Sequence, residues 1–99
     1  MTPEGRIKNK IREILDIYKG RLYVHMPVSH GYGAATLDYY GAIKGQAFAI
    51  EAKKPGGKPT LRQQGAISSM RAAGITVFLV ATDDDLLELS SWLKEVDSL

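Results

Sequence analysis

Residues 76 to 82, TVFLVAT, form a continuous apolar run rich in β-branched side chains, with no polar position on either face between the threonines at its two ends. A strand with one wet face alternates apolar and polar residues, so an uninterrupted run of this length belongs to a strand covered on both sides. Such a strand demands helices above and below its sheet. The run also follows another strand-like stretch, QAFAIEA at 46 to 52, through a helical segment, LRQQGAISSMRAA, capped by Thr60 and ended at Gly74. Two strands joined by a helical crossover are expected to lie parallel and adjacent in one sheet.

The remaining elements follow from periodicity. TPEGRIKNKIREILDIY opens with Thr2 as cap and Pro3 in the first helical position, and carries Ile7, Ile11, Ile14, Leu15 and Tyr18 on one stripe. RLYVHM reads as a strand that stops before Pro27, and VSHGYGAAT as a turn-rich loop. LDYYGAI and QAFAIEA, separated by Lys44 and Gly45, form an antiparallel hairpin. KKPGGKP is a loop. A last helix, capped by Thr82 or Asp83, aligns Leu86, Leu89, Leu93 and Val96. The expected order is α-β-β-β-α-β-α, an α/β (α+β) fold with helices packed on the faces of one sheet.

Ninety-nine residues supply one core, so residues 1–99 are expected to be a single domain. The absence of cysteine excludes disulfides, thiolate metal sites and cysteine nucleophiles, leaving oxygen or imidazole as possible metal ligands. No apolar stretch is long enough to span a membrane and no basic-then-apolar segment opens the chain, so a cytoplasmic location is expected. Charge is segregated: residues 1 to 74 hold 12 Lys/Arg against 5 Asp/Glu, net +7, and residues 75 to 99 hold 1 against 6, net −5. A basic first three-quarters suits a polyanionic partner, and a solvated, unevenly charged surface is the competing reading.

The chemistry concentrates around FAIEAK. The two-residue period puts Phe48, Ile50 and Ala52 on one face and Ala49, Glu51 and Lys53 on the other, so a carboxylate and an ammonium project side by side from a strand end. Asp38, within the aromatic stretch TLDYYGA, is a second unexpected carboxylate. If the hairpin pairs in simple register, Asp38 approaches Glu51. Two carboxylates can hold Mg²⁺ or Mn²⁺, and an adjacent lysine can orient water or offset charge on a phosphate. Glu4, in the first turn of the opening helix, is a further candidate ligand; a carboxylate favourably placed at a helix N-terminus is its alternative reading. In the second helix Gln63, Ile67, Met70 and Gly74 share a side, which aims Gln63 at the sheet near Glu51 and Lys53.

Together TPEG, GYGAATLD, FAIEAKKPGGKPTLRQQ and MRAAGITVFLV resemble the virus-type replication-repair nuclease domain, VRR-NUC, a branch of the PD-(D/E)xK superfamily. The resemblance runs from Thr2 to about Thr82. It implies a restriction-endonuclease-like α-β-β-β-α-β core, a central mixed sheet flanked by helices, here followed by a C-terminal helix. It also implies that Asp38, Glu51 and Glu4 bind a divalent metal, that Lys53 is the catalytic lysine, and that Gln63 is an accessory polar residue. One departure is Leu37 before Asp38, where the superfamily motif has proline.

What the resemblance implies for function is a Mg²⁺-dependent endonuclease for branched DNA, a homodimeric Holliday-junction resolvase of phage type working in the bacterial host cytoplasm. A less selective flap or nicking nuclease, and a catalytically idle DNA-binding module, are the alternatives. Leu87 and Trp92 lie outside the main stripe of the last helix and point to a homodimer interface. Arg6, Lys8, Lys10 and Arg12, with Lys54, Lys58 and Arg62, are candidate phosphate contacts, and Tyr32 a candidate stacking residue. His25 and His30 have no partner at metal-ligand spacing, and GYG at 31 to 33 is not placed as a dinucleotide loop, so no small-molecule cofactor is expected. An ion pair between Glu51 and Lys53 without catalysis is the plainest rival reading.

Overall fold

In the computed structural model, which describes residues 1–28 and 36–99, the chain forms α1 (Pro3–Asp16), β1 (Leu22–His25), β2 (Tyr39–Ile43), β3 (Gln46–Ala52), α2 (Leu61–Ala72), β4 (Thr76–Val80) and α3 (Asp83–Asp97). The strands lie in the order β1-β2-β3-β4. Strand β2 runs antiparallel to both β1 and β3, and β4 lies parallel to β3, as a helical crossover requires. Tyr32 and His30 lie outside the described residues.

The β2–β3 hairpin turns on Lys44 and Gly45 alone, both with positive φ, 47° and 76°. This two-residue turn matches the twist of paired strands and leaves the register no slack, so Tyr39 pairs with Ile50 and Ile43 with Gln46. The register in turn sets the faces. Tyr39, Ile43, Phe48, Ile50, Ala52, Phe78 and Val80 face α1 and α3, where they meet Ile7, Ile11 and Leu15 and the stripe Leu86, Leu89, Leu93 and Val96. On the opposite face Ala49 and Val77 pack with Leu37 against Ile67 of α2, joined by Tyr40, Met70 and Leu79. Strand β4 is thus covered on both sides.

Each helix start is built locally. Thr2 accepts from Gly5 N at 3.0 Å, with Pro3 in the first turn. Thr82, not Asp83, caps α3: its hydroxyl accepts from Asp85 N at 3.2 Å and the Asp85 carboxylate accepts from Thr82 N at 3.1 Å. Trp92 departs from the expectation of a spare apolar surface. Its ring packs edge-on against Phe48, 6.0 Å between centroids, and Phe78, 5.5 Å, so it belongs with the core, and Leu87, 66% exposed, is left outside. No helix among the described residues is long and apolar enough to cross a membrane.

Candidate active site

Asp38 stands one residue before β2, not within it, because the pairing with β3 ends at Tyr39. One step beyond that last pair it lies across from Glu51. Its backbone N–H donates to Glu51 Oε1 at 3.1 Å, and its own Oδ2 accepts from Ala52 N at 2.8 Å. The two acids are therefore held together by main-chain hydrogen bonds exchanged across the end of the hairpin. Those bonds fix carboxylate positions that Coulomb repulsion alone would drive apart.

Glu51 is the only charged residue buried among the described residues, with 5% of its surface exposed. A buried carboxylate needs partners, and it has three. Besides the Asp38 N–H, the Lys53 ammonium lies 3.1 Å from Oε2, and Gln63 Nε2 donates to the same oxygen at 2.7 Å. Burial pushes the Glu51 carboxyl above its ordinary value, and the negative charge of Asp38 pushes it further. The hydrogen bonds from Lys53 and Gln63 and the lysine's charge pull it back without cancelling the rise.

Gln63 is placed by the start of α2. Its Oε1 accepts from Thr60 N at 3.0 Å while its own N–H donates to the Thr60 hydroxyl at 3.1 Å, a capping box that leaves the amide NH₂ free to turn to Glu51. One side chain thus finishes a helix and a site. Lys53 is fixed by its backbone, whose N–H donates to Val80 O at 2.9 Å, extending the β3–β4 ladder one residue past the strand. Its side chain is 19% exposed, so the ammonium borders the solvent that Glu51 is shielded from.

Glu4 joins this group through a third residue. Lys8 lies 3.7 Å from Glu4 Oε2 and 3.7 Å from Asp38 Oδ1, bridging the first turn of α1 to the sheet end. No three His, Asp or Glu side chains converge on a common point among the described residues, so the preorganised pair is Asp38 and Glu51. Sequence reasoning placed Lys8 with the phosphate contacts and missed this bridge. Its spacing of four from Glu4 on a helix was the available signal. Arg6 lies 3.7 Å from Asp83, tying α1 to the start of α3. Lys54 and Lys58 lie exposed in the loop after Lys53, and Arg62 is exposed in the first turn of α2.

The donor set suits a hard divalent cation. Mg²⁺ is held by one or two carboxylates together with water and substrate phosphate oxygens, and here two carboxylates are locked side by side with one unusually reluctant to ionise alone. A cation held by both would offset the charge of Asp38, which adds to the rise that burial imposes on Glu51.

No family model matches this chain, and no curated protein does. Among solved structures, a VRR_NUC domain aligns with a TM-score of 0.76 over 92% of this chain and 97% of its own, at 22% identity. The α-β-β-β-α-β core with its mixed sheet, built here around the hairpin that joins Asp38 to Glu51, is the fold of a VRR_NUC domain.

Proposed function

We propose that this chain is a divalent-metal-dependent DNA endonuclease of the junction-resolving kind, with Asp38, Glu51 and Lys53 as its catalytic core. The observation that carries the reading is the buried Glu51 carboxylate, held against Asp38 at the sheet end and flanked by Lys53 and Gln63. A structural ion pair needs no second acid beside it. An acidic pair beside a basic surface repels DNA unless a cation intervenes, so its presence favours catalysis over passive binding.

Asp38 and Glu51 would hold Mg²⁺ or Mn²⁺, and Glu4, the further candidate ligand, would have to leave the Lys8 ammonium that stands between it and Asp38 to join them. When bound, the cation supplies Lewis acidity toward a phosphoryl oxygen and makes water easier to deprotonate. Lys53, at the solvent border of the pair, orients the attacking water and offsets charge that gathers on the phosphate as the P–O bond breaks. Gln63 keeps Glu51 in place and in its charged form, acting through Glu51. Arg6, Lys8, Lys54, Lys58 and Arg62 contribute to phosphate contacts, and Tyr32, which lies outside the described residues, is a candidate for stacking.

Two active sites acting on two strands of a branch require a two-fold dimer. The exposed Leu87, beside Trp92 on a surface hollow of about 580 Å³ along α3, supports that assembly. The test is cleavage of a labelled four-way junction and its matching linear duplex by wild type and Lys53→Ala, with Mg²⁺ and with EDTA. Paired symmetric nicks on the junction, absent with EDTA and in the variant, are expected. Equal cutting of both DNAs by a monomer favours the flap or nicking alternative, and no cutting by folded protein favours the idle binding module.

A further inference from the structure

The face of the sheet that carries Glu51 is only half covered. Helix α2 packs over β3 and β4, through Ile67 and Met70 onto Ala49, Val77 and Leu79. Among the described residues no helix lies over β1 on this side. Leu22 and Val24 turn toward the α1 and α3 side, so alternation sends Tyr23 and His25 to the α2 side, where Tyr23 is 68% exposed and His25 is exposed as well.

The register arranges these residues in two rows. His25 pairs with Tyr40, which pairs with Ala49; Tyr23 pairs with Ala42, which pairs with Ala47. The Tyr40 ring is held by its hydroxyl, which accepts from Leu37 N at 3.0 Å. Aromatic rings therefore stand at the β1 edge beside a low alanine floor. A shallow hollow of about 340 Å³ opens there, lined by Tyr23 and Ala42 with Arg21 and Lys44. With strands about 4.8 Å apart and residues about 3.3 Å apart along them, His25 lies about 12 Å and Tyr23 about 16 Å from Glu51. Those distances correspond to roughly two to five nucleotides along a strand whose phosphate sits at Glu51.

Charge favours a polyanion on this side. The loop into α2 and α2 itself carry Lys54, Lys58, Arg62 and Arg71 and no acidic residue, beside Lys53 and the pair Asp38 and Glu51, whereas the opposite side of the sheet carries α3 with six carboxylates. Arg21 and Lys44 are drawn to that opposite side, Arg21 to Asp97 at 2.9 Å and Lys44 to the Asp97 and Leu99 carbonyls at 2.7 and 2.8 Å. A paired duplex keeps its base faces stacked on one another. An unpaired strand offers them to flat aromatic rings.

We infer that the uncovered β1–β2 face is a stacking platform for unpaired nucleotides of the strand being cut, with Tyr23 and His25 as its contact residues. This rests on the nuclease reading and deepens it: whatever the form of the branch, the strand being cut carries unpaired nucleotides within a few positions of the scissile phosphate. Tyr23 is a specificity residue, remote from the reacting atoms.

The test uses a splayed-arm DNA and a fully paired duplex of the same sequence, each with 2-aminopurine at successive positions beyond the branch. Binding is read in Ca²⁺ by fluorescence quenching and cutting is read in Mg²⁺. Stacking is worth roughly 5- to 100-fold per base, so Tyr23→Ala should raise KM for the splayed DNA by a factor in that range, leave the duplex unchanged and abolish the quench, whereas Tyr23→Phe retains all three. His25→Ala should act in the same direction. Equal loss on both DNAs, or an unchanged quench in Tyr23→Ala, overturns the platform while leaving the nuclease reading intact. So does conversion of a dimer to a monomer by Tyr23→Ala, which would make this face a contact between copies. No binding or cutting of either DNA by wild type overturns the nuclease reading itself.

Discussion

Lys53→Met is the sharpest probe of why a carboxylate and an ammonium share a strand face. The substitution keeps an unbranched stem and removes the charge 3.1 Å from Glu51 Oε2. Solvent-exposed pairs are worth about 0 to 1 kcal/mol, and breaking a fully buried one from one side costs about 3 to 5 kcal/mol. Here Glu51 is 6% exposed and Lys53 19%, with Gln63 and the Asp38 N–H still donating after the change, which places the cost between these limits at neutral pH. We take about 2 kcal/mol, or about 10 °C in Tm for a domain of this size.

The pH dependence carries the discrimination. The folded-state pKa of Glu51 already lies above the unfolded value, so this group favours the fold most when protonated, and its contribution is lost as pH climbs through the raised pKa. Removing the ammonium raises that pKa further and extends the loss to higher pH. The gap between variant and wild type should therefore be smallest in acid, where Glu51 is protonated with or without the ammonium, and widen as pH rises to neutrality. Urea unfolding followed by Trp92, the single tryptophan, reads it directly, because the ring sits between Phe48 and Phe78 in the core. A gap of the same size in acid and at neutral pH would refute the electrostatic account and leave lost side-chain packing as the cause. Lys54→Met, exposed in the neighbouring loop, should show no gap at either pH.

Other outcomes follow from the same geometry. Mg²⁺ should raise the Tm of wild type, by about 2.7 kcal/mol of stability at 100 times its Kd, and leave Asp38→Ala unmoved in a thermal melt. A Cβ on Gly41 would overlap the Tyr23 carbonyl and stand 2.7 Å from Phe48 Cζ, so Gly41→Ala should separate β1 from β2 and cost about 3 kcal/mol by denaturant titration. Tyr39 Oη is buried with no hydrogen-bond partner among the described residues, and Tyr39→Phe should raise stability by about 1 kcal/mol, seen as a higher urea midpoint with an unchanged slope. Gln63→Ala should fray the start of α2, read by faster amide exchange there, and weaken cleavage more than Gln64→Ala, whose amide bonds only Pro59 O at 3.2 Å.

Much of this arrangement was legible in the order of residues because short-range rules governed it. Lys44–Gly45 dictated the hairpin, the hairpin dictated the register, and the register carried Asp38 to Glu51 with no long-range information needed. The four-three spacing of Gln63, Ile67 and Met70 likewise aimed Gln63 inward. What escaped depended on contacts between elements distant in sequence. Trp92 looked like surplus surface on its helix because its partners, Phe48 and Phe78, come from two other strands. The Lys8 bridge to Asp38 needs the docking angle of α1 on the sheet end, and periodicity does not encode that angle. Nor does alternation in β1 alone reveal that α2 stops short of covering Tyr23.

The loop from Lys54 to Pro59 joins two anchors that do not depend on it. Lys53 is secured by its main-chain bond to Val80, and Thr60 by its capping exchange with Gln63. Closing a longer loop costs little, about 0.6 kcal/mol for each doubling. Residues inserted between these anchors would leave Glu51, Lys53 and Gln63 where they are while adding a new wall or finger beside them. This joint can lengthen without disturbing Glu51, Lys53 or Gln63, so the surface beside the acidic pair can diverge here while the geometry of the pair stays fixed.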